Sequence, residues 1–129
     1  MKGMDKMNNK LLIMGGCFII ILIVGFVLSR TGKPYNSLLL NVHKLVSLGA
    51  FVYLIVTLVQ FNRLVPLNTL EWIVFAACCV FFVSLIVTGG LMSALKNPPE
   101  FLHTIHQIAP YLAILSTAGT LYLLLVYKQ

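Results

Sequence analysis

Charged and turn-forming residues gather in short clusters along this chain, and four apolar stretches run between them: Leu11 to Leu28, Leu38 to Phe61, Leu70 to Leu95 and Phe101 to Tyr127. Each supplies about the 20 helical residues that a bilayer core requires. The pattern therefore predicts four helices, about 11–28, 38–61, 70–95 and 100–127. The connectors carry matching punctuation. Gly32, Lys33, Pro34, Tyr35, Asn36 and Ser37 form a polar turn in which Asn36 or Ser37 is placed to cap the second helix. Asn68, with Glu71 three positions on, has the form of a capping box at the start of the third, and Pro66 lies just upstream. Asn97, Pro98, Pro99 and Glu100 end the third helix and open the fourth, where proline is tolerated in the first turn and a carboxylate meets the positive end of the helix dipole. Connectors this short turn successive helices antiparallel. The expected fold is all-α, an integral-membrane up-down four-helix bundle, with residues 1–129 forming one transmembrane domain.

Composition supports the same class. With 60% hydrophobic and 9% charged residues, the chain leaves no room for a water-soluble domain. Lys2, Lys6 and Lys10 precede the first stretch like the n-region of a signal peptide, but the apolar run is about twice the usual h-region. Ser29, Arg30, Thr31 and Gly32 offer no small-x-small cleavage site, so the segment reads as a retained helix. Met14, Gly15, Gly16 and Cys17 are faintly similar to a lipobox, with too little apolar sequence ahead of them to act as a signal. The net charge of +6 lies at chain ends and loops. It reads as topology signal and attraction to anionic lipid, with the bilayer as partner and no nucleic acid.

Orientation follows from the basic residues. With the N-terminus inside, Lys2, Lys6, Lys10, Arg63 and Lys128 are cytoplasmic, against Arg30, Lys33, Lys44 and Lys96 outside. The three lysines ahead of the first helix favour a multi-pass protein of the plasma or inner membrane with both termini cytoplasmic. Cys17, Cys78 and Cys79 show no CxxC spacing and read as small packing residues away from the histidines. No internal repeat is visible in the sequence.

The candidate chemistry lies in His43, His103 and His106, which with Lys44 are the ionisable groups set into apolar sequence. Such groups are costly in a bilayer and default to a functional reading. His43 falls about five residues into the second helix and His106 about six into the fourth, roughly 8 to 9 Å below the same face at 1.5 Å per residue. The two imidazoles are thus expected to be level, with His103 one turn shallower and about 60° round the helix. In an up-down bundle these helices are diagonal, with axes roughly 13 Å apart, too far for two imidazoles to meet directly. A metal in a flat macrocycle would fill that gap, ligated from both faces.

Small residues cluster at this layer: Ser47 and Ala50 beyond His43, Ala109, Pro110 and Ala113 beyond His106, Thr88, Gly89 and Gly90 on the third helix, and Gly25 on the first. Glycine inside a helix costs roughly 1 kcal/mol relative to alanine. Several at one depth indicate space for a guest or close helix packing, and both readings stand at this point. Pro110 has no N–H to offer the carbonyl of His106, which predicts a kink or a loosened turn there. Lys44 and Lys96 are placed to snorkel to headgroups or to pair with carboxylates of a guest.

His43 in NVHKLVSLGAF and His106 in FLHTIHQIAPYLAILSTAGTLYLL give the chain an arrangement that resembles the membrane cytochromes b of the cytochrome b561 type. The resemblance implies one haem b with His43 and His106 as metal ligands. It also implies electron transfer between a quinol or a partner redox subunit and an acceptor. His103 would then serve a haem propionate or a quinone, or replace His106 as ligand, and Ser47, Gly89, Gly90, Lys44 and Lys96 would line the cofactor. Members with two haems need a second histidine pair that this chain lacks, so one haem is the ceiling. No nucleophile stands with a base, and Glu71 and Asp5 are too few for carboxylate chemistry. Two other readings remain: a metal-binding or transport protein that holds zinc or copper through His43, His103 and His106, and a non-catalytic accessory membrane subunit whose histidines merely pack.

Overall fold

The computed structural model describes residues 2–125, with the side chains of residues 2–4, 7 and 125 left aside. Four helices account for nearly all of it: α1 (Lys2–Thr31), α2 (Ser37–Leu64), α3 (Thr69–Ala94) and α4 (Glu100–Leu125). The limits of α2 and α3 match the apolar stretches to within a few residues. Helix α1 starts well before Leu11, because residues 2–10 contain no proline to stop a helix and Asp5 sits in the favourable first turn. Residues 126 and 127, expected in the fourth helix, and Lys128 lie outside the described residues.

Capping explains the helix ends. Asn36 accepts from the backbone N–H groups of Leu38 and Leu39 at 3.0 and 3.2 Å, so it is Asn36 that caps α2. The Asn68–Glu71 capping box is complete: Glu71 N–H donates to Asn68 Oδ1 at 2.9 Å, and Asn68 N–H to Glu71 Oε2 at 2.7 Å. Helix α1 closes on Gly32, whose φ of +65° lets its N–H turn back to the carbonyl of Leu28 at 3.3 Å. Pro98 and Pro99 stand ahead of α4, whose first turn closes from Leu102 N–H to the Pro99 carbonyl at 3.1 Å. Helix α4 then runs through Pro110 unbroken.

The chain forms two compact units, Met1–Pro66 and Leu67–Gln129, each an antiparallel hairpin: α1 against α2, and α3 against α4. In the first, Lys10 Nζ donates to Gln60 Oε1 at 2.6 Å near the open end, and Gly25 meets His43 near the connector. In the second, Cys78 and Thr117 share a hydrogen bond at 3.2 Å, and Gly89 meets His106.

The two hairpins bury corresponding positions. In the first helices the buried residues Leu11, Met14, Phe18 and Leu28 correspond to Phe75, Cys78, Phe82 and Met92, every pair 64 positions apart. In the second helices Ala50, Leu54, Thr57 and Phe61 correspond to Ala113, Thr117, Thr120 and Leu124, every pair 63 positions apart. The connectors, residues 32–36 and 95–99, are equal in length, and the one-residue difference falls in the last turn of the first helices, where three residues follow Leu28 in α1 and two follow Met92 in α3. This is a structural repeat that the sequence analysis did not detect. The same interhelical seam is filled differently in each copy: fully buried Met14 and Leu54 in one, and the hydrogen-bonded Cys78 and Thr117 in the other.

All four helices are long and apolar enough to cross a membrane. Their outer faces are as apolar as their seams, with Leu12, Leu45, Tyr111 and Leu115 each about 70% exposed. A helix that is hydrophobic all round is suited to lipid, where small residues and close packing, rather than apolar burial, drive helix association. Four candidate spans make this a candidate multi-pass membrane protein.

Candidate functional site

His43 and His106 occupy corresponding places, 63 positions apart, each the seventh residue of its helix. Measured from the start of the helix, each lies about 9 Å along the axis at 1.5 Å per residue. Both are half-buried, whereas His103 is exposed, as are Lys44 and Lys96. Helical geometry explains the difference, because three residues of rotation carry His103 off the seam that His106 occupies.

Each half-buried imidazole rests on a glycine of the preceding helix. A β-carbon on Gly25 would lie 3.0 Å from His43 Cε1 and 3.7 Å from both ring nitrogens. A β-carbon on Gly89 would lie 2.9 Å from His106 Cε1 and 3.6 Å from both nitrogens. Gly25 and Gly89 are themselves counterparts, 64 positions apart. The glycines let the imidazoles sit this close, since a β-carbon at either position would require the ring to shift. Gly90 has open space where its β-carbon would stand, and Ser47 is half-buried one turn beyond His43.

The polar partners of the two rings differ. His106 Nδ1 lies 2.8 Å from Thr88 Oγ1, which also bonds the carbonyl of Ser84 at 2.7 Å and lies 3.3 Å from that of Leu85. The counterpart of Thr88 in α1 is Val24, which has no hydroxyl. His43 Nδ1 is buried without a hydrogen bond of good geometry, although the Ile21 backbone interacts with the ring.

Sequence reasoning placed Thr88, Gly89 and Gly25 at the histidine layer and read them as space for a guest or as close helix packing. The structure uses Gly25 and Gly89 to seat the imidazoles and Thr88 to bond one of them. A signal was available: Gly25 and His43 are equally distant from Pro34, and Gly89 and His106 straddle Asn97 and Pro98 in the same way. In an antiparallel hairpin, residues equally far from the turn face each other.

Cys78 lies eleven residues from Gly89 along α3, about 16 Å at 1.5 Å per residue, so it is remote from His106. Its place in the α3–α4 seam is that of a packing residue. Within either unit, the described residues bring no three His, Cys, Asp or Glu side chains together as a metal site. With His103 exposed on α4 as well, nothing in the hairpins favours the three-imidazole reading over a two-imidazole one.

The fold and site define a class: an all-helical protein with four candidate membrane spans, built as two equivalent hairpins that each lodge one histidine on a glycine. No protein-family model, curated protein or solved structure matches the chain.

Proposed function

We propose that this chain is a multi-pass membrane protein that binds one haem b through His43 and His106 and carries electrons between a quinol or partner redox subunit and an acceptor. The observation that carries the reading is the repetition of one half-buried imidazole, at one helical depth and on one glycine seat, in two copies of the same hairpin. Holding one haem iron would be a natural use for two such imidazoles.

Haem iron would supply reversible one-electron chemistry when bound, and His43 and His106 would hold it, an arrangement that suits electron transfer rather than oxygen activation. The chain's own part is to hold the two rings. The glycine seats fix where each imidazole sits, and the absence of side chains at Gly25 and Gly89 keeps the rings close to the helix behind them. Lys44 and Lys96, exposed near the connector end of the hairpins, are placed to pair with propionate carboxylates, and exposed His103 is placed to serve a propionate or a quinone. In this reading the four helices assemble as an up-down bundle, with both termini on the cytoplasmic side of the cell membrane.

The test is a visible spectrum of the protein purified from membranes, or reconstituted with haemin in detergent. A low-spin haem b spectrum is expected. His43→Ala and His106→Ala should each abolish it, and His103→Ala should retain most of it. Loss in His103→Ala with retention in His106→Ala would overturn the ligand assignment, and no haem uptake by the native chain would overturn the function.

A further inference from the structure

Thr88 Oγ1 has one proton and sits among three groups: the Ser84 carbonyl at 2.7 Å, the Leu85 carbonyl at 3.3 Å and His106 Nδ1 at 2.8 Å. Carbonyl oxygens only accept. If the hydroxyl gave its proton to the imidazole, it would face the Ser84 carbonyl at 2.7 Å with lone pairs on both oxygens and no proton between them. The stable arrangement sends the hydroxyl proton back along α3 to Ser84, a bond that threonine commonly makes inside helices. The hydroxyl oxygen then accepts from Nδ1–H of His106. A neutral imidazole protonated at Nδ1 carries its lone pair on Nε2.

The other hairpin lacks this device. Val24 stands where Thr88 does, and His43 Nδ1 has no well-formed hydrogen bond. The repeat therefore holds two imidazoles in equivalent seats with different polar partners, a threonine hydroxyl on α3 for His106 and no hydroxyl on α1 for His43.

We propose that Thr88 is a positioning residue that fixes His106 as the Nδ1–H tautomer and so leaves the Nε2 lone pair as the ring's donor atom toward a metal, making His106 an anchoring ligand. The tautomer assignment stands on the hairpin alone. The anchoring role rests on the haem reading above. A hydrogen bond from the far nitrogen of a ligating histidine orients the ring and raises its basicity, and its loss typically weakens metal binding 10- to 100-fold.

Both parts can be tested on the full chain in detergent micelles. With 15N-histidine labelling and no haem added, long-range proton–nitrogen correlations should show His106 protonated at Nδ1. Thr88→Val should abolish that preference, and Thr88→Ser, which keeps the hydroxyl, should restore it. His106 protonated at Nε2 in the native chain, or an unchanged tautomer in Thr88→Val, would overturn the assignment. In the haem-loaded protein, Thr88→Val should speed haem loss 10- to 100-fold, with Thr88→Ser close to native. Equal loss rates in all three, with the tautomer shift intact, would overturn the anchoring role. A native chain that takes up no haem yet shows the tautomer shift would overturn the functional reading and leave the Thr88–His106 assignment standing.

Discussion

The imidazole of His106 occupies the place that a side chain on Gly89 would need, with Cε1 2.9 Å from the position of its β-carbon. His43 and Gly25 repeat the relationship at 3.0 Å in the other hairpin. Contacts this close to a β-carbon require the ring to move, and the ring is tethered to a packed helix.

Gly89→Ala and Gly25→Ala should therefore displace the neighbouring imidazole and, under the proposed function, lower haem occupancy several-fold. Gly90→Ala, whose β-carbon enters open space, should leave occupancy unchanged and gain a little helix propensity. Haem-to-protein stoichiometry after reconstitution checks this. Equal occupancy in all three variants would show that the glycine seats do not govern the site.

The seam of the first hairpin gives a stability prediction. Leu54 is fully buried, so Leu54→Ala should destabilise the protein by about 2–5 kcal/mol through the cavity left behind. Leu45, 71% exposed on the same helix, should change stability by no more than about 0.5 kcal/mol when replaced by alanine. Reversible unfolding in mixed micelles measures both. Comparable losses would mean that α1 and α2 do not pack through Leu54.

Because the hairpins are copies, the device on α3 should be portable to α1. Val24→Thr places a hydroxyl at the counterpart of Thr88, where it would donate to the carbonyl four residues back and accept from His43 Nδ1–H. The expected result is a His43 fixed as the Nδ1–H tautomer by nitrogen NMR, with haem loss slowed relative to the native chain. A His43 tautomer unaffected by the new hydroxyl would show that the two seats are not interchangeable.

Orientation has its own test. In a background with Cys17, Cys78 and Cys79 replaced by alanine, Thr31→Cys should react with an impermeant thiol reagent added to intact cells. Asn62→Cys, at the other end of the hairpin, should be protected. The reverse pattern would place both termini outside and leave the histidine assignment untouched.

The sequence by itself determined the four helices, their caps and the matched helical depth of His43 and His106, while which of His103 and His106 lies on the seam came from the packing. The former depend on local physics: apolar length, a side chain that accepts the first free N–H groups, and a fixed rise per residue. The Asn36 cap and the Asn68–Glu71 box needed nothing beyond their neighbours in the chain. Only the tertiary structure decided that imidazoles fill the notches at Gly25 and Gly89, that Thr88 holds His106, and that one hairpin repeats the other. Helices apolar on every face carry no stripe to announce which side packs inward, so the register between them is invisible to periodicity. The repeat was hidden for the same reason. Packing preserved burial at positions 64 and 63 apart while letting the residues themselves change, Met14 to Cys78 and Leu54 to Thr117, because a seam in lipid is set by close fit and hydrogen bonds rather than by hydrophobicity.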